Sequence, residues 1–206
     1  MKIILTDETE PVMASPASDH ELWSRLCDGD QEALGELFDR HADAVHAFAF
    51  RRTASWATAE DVVQATFLNT WRRFQRTPPG PLTSSSARGW LLVVASNECR
   101  TLARTAARFR NLLDRLPDPT HAGDHAGNVI QRLDDERRMS QVRRAVDKLP
   151  RHERDTLELV VWAGLTQAEA ADALGVPIGT VKARLHRTRR RFPELMSRDS
   201  FLEDMS

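Results

Sequence analysis

The chain has 206 residues, of which 41% are hydrophobic and 29% are charged, and its formal net charge is −1. This length suffices for one large or two small domains, and the composition suits small helical units with much surface. No membrane span is predicted, because no apolar run approaches the ~18 residues that a helix needs to cross a bilayer. Acids closely follow the short apolar run at residues 3–5, so no signal peptide is predicted and we expect a cytoplasmic protein.

Charge is segregated along the chain. Residues 1–36 carry nine acids against two cations, a net charge of −7, whereas residues 100–115 carry five arginines against one acid, a net charge of +4. A second basic segment, residues 178–192, has six cations and no acid. The near-neutral total therefore conceals local basic segments of the kind that docking surfaces have.

Helix signals dominate the first half of the chain. Ser18 and Glu21 have the spacing of a capping box, and Asp30 and Thr58 are predicted to cap the second and third helices. The second helix has apolar residues at helical spacing: Leu34, Leu37, Phe38, Val45, Phe48 and Ala49. The third has a single apolar stripe: Val63, Phe67, Trp71 and Phe74. A loop rich in Pro and Ser, residues 75–86, precedes a fourth helix that becomes basic in its second half.

These signals predict an all-α fold of two small helical domains. Residues 1–18 are expected to be a disordered N-terminal extension, and residues 19–113 form the first domain. Residues 114–129 contain prolines and glycines and little to bury, which predicts a flexible linker. The second domain spans residues 130–196, and residues 197–206 are expected to be a C-terminal tail.

A helix-turn-helix is predicted near the end of the second domain. Thr166 and Glu169 have the spacing of a capping box, Gly175 suits the left-handed end of a helix, and Pro177 fits the first turn of the next one. Four residues of the second helix fall in one narrow sector and are expected to pack inward: Val181, Leu185, Thr188 and Phe192.

The opposite face of that helix is basic and is predicted to contact duplex DNA. Ala183 is small enough to let the helix approach the bases, and the Arg187 guanidinium can fork onto a guanine edge. Cations on the flanks suit phosphate contacts. A solvated basic face would explain an arginine run alone, but the capping box, the glycine turn and the separated faces occur together and favour DNA.

Three stretches carry a family resemblance. "LTQAEAADALGVPIGTVKARLHRTRRRF", "AEDVVQATFLNTWRRF" (residues 59–74) and "WLLVVASNECRTLAR" (residues 90–104) are similar to region 4, region 2 and the helix after region 2 of extracytoplasmic-function (ECF) sigma factors. Many helix-turn-helix regulators share the first pattern, but the upstream region 2 pattern makes the resemblance specific. It implies a promoter-recognition subunit of bacterial RNA polymerase, without enzymatic activity or cofactor. It also implies an anti-sigma partner, because most members of the family are held inactive by one.

The resemblance implies a docking surface for core RNA polymerase on the third helix. In the family, this helix contacts the clamp helices of the largest polymerase subunit. The family's Asp-x-x-Gln is matched by Asp61 and Gln64, and Asn69 is a further candidate on the same helix. Ala65 stands where many relatives have Glu. Favourable electrostatics at a helix N-terminus is the alternative explanation for Asp61.

The resemblance also implies contacts with two promoter elements. Candidate residues for reading the melted minus-10 element are Trp90, Asn97, Arg100 and Arg104. Core packing and stacking on an unpaired base remain open for Trp90. Base-facing candidates for the minus-35 element are Lys182, Ala183, His186 and Arg187, and phosphate candidates are Thr180, Arg184 and Arg190.

Other classes of function fit the sequence less well. A stand-alone helix-turn-helix repressor or activator, or an interaction protein without promoter activity, would need neither the Asp61–Gln64 helix nor the aromatic loop and helix. The sequence has no Walker loop, nucleophile elbow or clustered acid pair, so no catalytic residue is predicted. No metal site is predicted at His121 and His125, which lie in the linker without thiolate neighbours. Cys27 and Cys99 are predicted to be buried, reduced thiols.

Overall fold

The computed structural model describes residues 16–113 and 129–203, and every regular element in these two ranges is a helix. The first domain contains α1 (Asp19–Cys27), α2 (Gln31–Thr53), α3 (Trp56–Arg76) and α4 (Arg88–Leu113). The second contains α5 (Val129–Asp147), α6 (Arg151–Leu157), a π-helical turn (Glu158–Trp162), α7 (Gln167–Leu174) and α8 (Ile178–Glu203). The all-α prediction is confirmed. Nearly all of the predicted N-terminal extension and linker, with His121 and His125, lies outside the described residues.

Short polar signals set most of the helix starts. Both halves of the capping box form at Ser18 in α1 and at Thr166 in α7, as the spacing predicted. Asp30 caps α2, because its side chain accepts a hydrogen bond from the backbone N–H of Glu32 at 2.8 Å.

The predicted cap of α3 at Thr58 is wrong. The helix begins at Trp56, and Ser55 Oγ accepts the hydrogen bond from the Thr58 backbone N–H at 3.3 Å. The reason lies in Ala54, whose left-handed backbone (φ 53°) ends α2 and leaves Ser55 in the extended conformation of an N-cap. α3 also continues to Arg76, two residues into the predicted loop.

The core of the first domain forms where the apolar faces of α2, α3 and α4 meet. The predicted stripe on α3 is confirmed, since Val63, Phe67 and Phe74 are buried and Trp71 is partly buried. The same cluster contains Leu37, Val45 and Phe48 of α2 and Leu91 and Leu92 of α4. Each of these large side chains contributes ~1.5–3 kcal/mol by leaving water, so their burial fixes how the three helices are arranged.

A buried carboxylate joins three parts of the first domain. Asp19, at the start of α1, accepts hydrogen bonds from Arg40 Nη1 (2.5 Å), Ser86 Oγ (2.7 Å) and the Ala87 backbone N–H (2.7 Å), and pairs with His41 Nε2 (2.8 Å). Burial alone would raise the pKa of Asp19, but these hydrogen bonds outweigh it and lower the pKa from 3.8 to about 2. Asp19 thereby ties α1 to α2 and to the start of α4.

We expect Asp19→Asn to destabilise the first domain by about 2 kcal/mol at neutral pH. Because folding lowers the pKa of Asp19, its stabilisation is complete above pH ~4 and is lost as the pH falls toward 2. Urea unfolding of both proteins at several pH values measures this. The difference between wild type and variant should shrink on acidification, whereas Asp43→Asn, at an exposed position of α2, should have little effect. A constant difference down to pH 2 would contradict this role of the carboxylate.

The second domain departs from the predicted boundaries at its end. α8 continues to Glu203, so residues 197–203 are helical although they were predicted to be a tail. The helix passes through Pro193, which removes one backbone hydrogen bond without ending it. Pro177 lies immediately before α8 instead of in its first turn, and its carbonyl accepts from the Thr180 N–H at 2.8 Å.

The two domains pack against each other. Leu159, Ala163, Leu165 and Ala170 of the second domain belong to the same buried apolar cluster as the core of the first. The N-terminal end of α4 comes close to α7 at Gly89, where an added Cβ would lie 3.3 Å from Cβ of Ala173. The absence of a side chain at this position therefore permits the close approach.

Candidate DNA and polymerase interfaces

The helix-turn-helix forms as predicted. Gly175 is left-handed (φ 63°) and ends α7, and the Val176 N–H donates to the Ala171 carbonyl at 3.0 Å, which closes the turn into α8. On α8, Val181 and Thr188 are buried and Leu185 is partly buried, which confirms the predicted inward sector for these three residues. The side chain of Phe192 lies outside the described residues.

The opposite face of α8 is open to solvent. Lys182, Ala183, His186, Arg187 and Arg190 are exposed, and Thr180 and Arg184 on the flanks are partly buried. Exposed cations around a small residue give the helix a basic surface that can approach a DNA groove. The structure thus places all seven predicted minus-35 residues on, or beside, one accessible face.

A buried carboxylate of α6 orients part of this face. Glu153 is 1% exposed and accepts hydrogen bonds from Arg187 Nε at 3.1 Å and from Arg191 Nη1 at 3.1 Å. Nearby, Arg184 Nη1 donates to Thr156 Oγ1 at 3.4 Å. A guanidinium has five N–H donors, so the Arg187 contact through Nε is compatible with a second contact through its Nη groups. Glu153 carries no signal in the sequence, because the arginines that pair with it are more than 30 residues away.

The predicted polymerase-docking residues lie on the outer side of α3. Asp61 and Gln64 are exposed, and Asn69 is partly buried and accepts from Arg72 Nη1 at 3.5 Å. Leu68, on the same face as Asp61 and Gln64, is 49% exposed.

A second apolar side chain is exposed next to α3. Phe38 is one of the apolar residues that recur at helical spacing in α2, but its side chain is 41% exposed. Its ring packs edge-on against that of Phe67, with 4.9 Å between the ring centroids. Large exposed apolar side chains beside exposed polar groups are typical of a protein-binding surface.

The predicted minus-10 residues follow one face of α4. Trp90 is partly buried in an aromatic cluster, with its ring centroid 5.2 Å from Trp23 and 5.9 Å from Phe74. Trp23 in turn donates from Nε1 to the Gly80 carbonyl at 3.0 Å, so the cluster anchors the preceding loop. These ring contacts explain the partial burial of Trp90, and contact between Trp90 and a DNA strand stays a prediction.

The three polar candidates on α4 are linked to one another. Asn97 and Arg104 are exposed, whereas Arg100 is partly buried. Arg100 donates to Asn97 Oδ1, and Arg104 Nε donates to the Arg100 carbonyl at 3.2 Å. Arg100 Nη1 also donates to Asp155 Oδ1 at 2.9 Å, so the second domain occupies this candidate DNA contact.

Comparison with known proteins identifies both domains. Residues 37–109 match the family model for sigma-70 region 2, and residues 139–192 match the model for sigma-70 region 4. The ECF RNA polymerase sigma factor SigL of Mycobacterium tuberculosis is 34% identical over 154 residues, which are 73% of this chain and 81% of that protein. The chain belongs to the ECF sigma factor family.

Two further similarities support the family and the fold. The ECF RNA polymerase sigma factor SigE of Mycolicibacterium smegmatis is 32% identical over 176 residues, which are 84% of this chain and 66% of that protein. The solved structure of CnrH in complex with the cytosolic domain of CnrY superposes with a TM-score of 0.60 at 25% identity. That match covers 89% of this chain and 99% of the other. Because both sigma regions match in the expected order, a stand-alone regulator is not favoured.

The thiols of this ECF sigma factor have no features of a redox centre. Cys99 is buried as predicted, and burial raises the pKa of its thiol to about 11. Cys27 is only partly buried, and burial likewise raises the pKa of its thiol. A raised pKa disfavours the reactive thiolate, and both cysteines are free.

Within the described ranges, no group of three or more His, Cys, Asp or Glu residues could hold a metal ion. In the same ranges, no helix combines the length and the hydropathy that a bilayer span requires.

Proposed function

We propose that this chain is an alternative sigma subunit that binds core RNA polymerase and directs it to promoters with specific minus-35 and minus-10 elements. The observation that carries the proposal is the exposed basic face of α8 on a correctly formed helix-turn-helix, in a chain that also has the sigma region 2 domain. The chain itself supplies no reaction, and the polymerase performs the chemistry. Such a subunit acts where the polymerase is, in the cytoplasm.

The roles of the two DNA-facing helices follow from their side chains. On α8, Lys182, Ala183, His186 and Arg187 would face base edges of the minus-35 duplex, and Thr180, Arg184 and Arg190 would contact phosphates. On α4, Asn97, Arg100 and Arg104 would contact the minus-10 strand, and Trp90 would support an unpaired base at the edge of the aromatic cluster.

The polymerase contact is proposed at the outer face of α3. Asp61, Gln64 and Asn69 would form polar contacts with the clamp helices of the largest subunit, and Leu68 and Phe38 would add an apolar border. Polar groups beside apolar side chains that lose contact with water on binding are common at protein interfaces.

An anti-sigma factor is a further proposed partner. The CnrH structure contains the cytosolic domain of CnrY, and a sigma factor RpoE of similar fold is in complex with the anti-sigma factor NepR from Bartonella quintana. A protein that covers α3 or α8 of this chain would block the surfaces proposed above.

Transcription in vitro tests the proposal. Purified core polymerase from the same bacterium, supplied with this protein and genomic fragments, should start at a small set of sites that share two upstream elements. The free protein should bind the same fragments poorly, because six cations on one helix give nonspecific dissociation constants of only ~10⁻⁴–10⁻⁶ M at physiological salt. Footprinting with and without core polymerase measures that difference.

Core polymerase alone is the control for initiation, and this protein without core is the control for binding. Strong protection of a specific duplex by the protein alone, unchanged when core is added and without new transcripts, would identify a stand-alone repressor or activator and overturn the proposal.

A further inference from the structure

A cavity of about 870 Å³ lies between α4 and the helices α5 and α6, and the end of α2 and the start of α3 complete its wall. Pockets that bind small molecules typically have volumes of ~300–1,000 Å³. We call this space the arginine cavity, because six arginines line it: Arg52, Arg100, Arg104, Arg143, Arg151 and Arg154.

The arginine cavity carries an excess of positive charge. Asp147 accepts hydrogen bonds from Arg154 Nη1 at 2.6 Å and from Arg143 Nε at 3.2 Å. Among the residues that the structure describes, the carboxylates that line the cavity or pair with its arginines are Asp61, Asp147, Asp155 and Glu158. Six arginines against these four acids leave a formal charge of +2, so the ion pairs within the protein do not neutralise the cavity.

The guanidinium groups in the cavity also repel one another. Burial lowers the pKa of Arg52 and of Arg100, although Asp155 offsets part of this effect. The neighbouring guanidinium groups of Arg151 and Arg154 lower the pKa of Arg100 further, and those of Arg100 and Arg154 do the same for Arg52. A bound anion would relieve this repulsion, because it places negative charge among like positive charges.

Several of these arginines can make further hydrogen bonds. Arg104 donates through Nε to the Arg100 carbonyl at 3.2 Å, and Arg151 Nε lies 3.6 Å from Asp155 Oδ2. Both contacts are compatible with others through the Nη groups, because a guanidinium has five N–H donors. Nε of Arg154 is buried, and no hydrogen-bond partner for it lies in the described ranges. Planar guanidinium groups match the oxygens of phosphate, so the cavity can hold several phosphate oxygens.

One wall of the arginine cavity is apolar. Leu102, Ala106 and Phe109 follow one another at intervals of four and three residues, so they lie on one face of α4, and all three line the cavity. Phe109 is 60% exposed. Nucleobases stack on exposed aromatic rings. The cavity therefore combines a surface for a base with donors for phosphates.

We propose that the arginine cavity binds a nucleoside polyphosphate, with its phosphates on the guanidinium groups and its base against Phe109. Several adjacent phosphates match a set of arginines drawn from four helices better than a single phosphate does. The site is additional to the proposed sigma function and does not rest on it. Arg100 and Arg104 are also minus-10 candidates, so a bound nucleotide would compete with the DNA strand for these two side chains.

Isothermal titration calorimetry of the full-length protein without Mg²⁺ tests the proposal. At least one of ATP and GTP should bind, with one molecule per chain. AMP should bind at least tenfold more weakly than ATP or GTP, because two phosphates and their charge-assisted hydrogen bonds are missing. Inorganic tripolyphosphate should also bind more weakly than the better nucleotide, because it has no base to stack on Phe109.

Paired variants locate the site. Arg104→Ala with Arg151→Ala changes two exposed residues of the cavity and should weaken nucleotide binding at least tenfold. The matched control, Arg108→Ala with Arg138→Ala, removes the same charge from exposed positions of α4 and α5 outside the lining and should change the affinity less than twofold. Phe109→Ala should weaken the nucleotide and leave tripolyphosphate unchanged. Circular dichroism checks folding, and Phe109→Ala decides if the cavity double variant does not fold.

The absence of binding by both nucleotides, or an equal loss of affinity in the cavity and control double variants, would overturn the proposal. Equal binding of tripolyphosphate and nucleotide, unchanged by Phe109→Ala, would overturn the base contact. A single-stranded DNA oligonucleotide that binds through Arg104 and Arg151, while ATP and GTP do not bind, would assign the cavity to DNA instead. Failure of the sigma function would appear separately, as absent transcription with core polymerase, and the calorimetric result would stand.

Discussion

The double variant Asp61→Arg with Gln64→Ala is expected to weaken the binding of core RNA polymerase about 100-fold. Both side chains are exposed on the outer face of α3, and the buried stripe of this helix lies elsewhere. Loss of two polar contacts, at least one of them to a charged group, costs about 3 kcal/mol, which corresponds to that factor. The helix content should not change, because neither residue contributes to the core. Pull-down of core polymerase by tagged protein, followed by titration, measures the effect.

A matched control keeps the chemical changes and moves them to another helix. Asp43→Arg with Gln31→Ala makes the same two replacements at exposed positions of α2 and should leave polymerase binding near the wild-type level. If the α3 double variant is folded and still captures core polymerase like wild type, the docking surface has been placed on the wrong helix. The exposed Phe38 would then be the next place to search.

The helices that could be predicted from the sequence are those with strong local signals. The capping boxes at Ser18 and Thr166 and the left-handed glycine at Gly175 depend on neighbours within a few residues, so their geometry was predictable. At Thr58, local signals fail to predict which residue caps the helix. Ser55 and Thr58 are equally suitable as caps, and the choice between them depends on the backbone of Ala54, which no local pattern specifies.

The inward and outward faces of α8 were predictable for a similar reason. A helix of known start repeats its geometry every 3.6 residues, so the burial of Val181 and Thr188 followed from spacing alone. Spacing carries no information about partners from other helices. Spacing therefore could not predict that Glu153 orients Arg187 and Arg191.

The association between the two domains could not be predicted either. A linker that contains prolines and glycines predicts independent domains, and it gives no sign of the pairs between Arg52 and Glu158 or between Arg100 and Asp155. Such pairs join residues more than 50 positions apart. The sequence predicts Arg100 as a DNA contact on a basic helix, and the structure places it in the contact between domains.

Arg187→Ala and Arg190→Ala are expected to change DNA recognition in different ways. Arg187 lies on the side of α8 that we propose faces the bases and is oriented by Glu153, so its loss should relax selectivity at one base pair of the minus-35 element by about 1–3 kcal/mol. Arg190 is an exposed phosphate candidate, and its loss should weaken all sequences alike and reduce the salt slope of binding by about 1. Selection from randomised minus-35 elements in the presence of core polymerase distinguishes the two patterns.

Stability must be separated from recognition in this experiment, because Arg187→Ala also removes one partner of the buried Glu153. Partial unfolding would lower the affinity for every sequence, whereas loss of a base contact changes the preference at one position only. Arg189→Ala, at an exposed position of the same helix, controls for removal of one positive charge. A uniform loss of affinity in both Arg187→Ala and Arg190→Ala would show that Arg187 contacts a phosphate. The base-facing side of α8 would then have to be reassigned around Lys182 and His186.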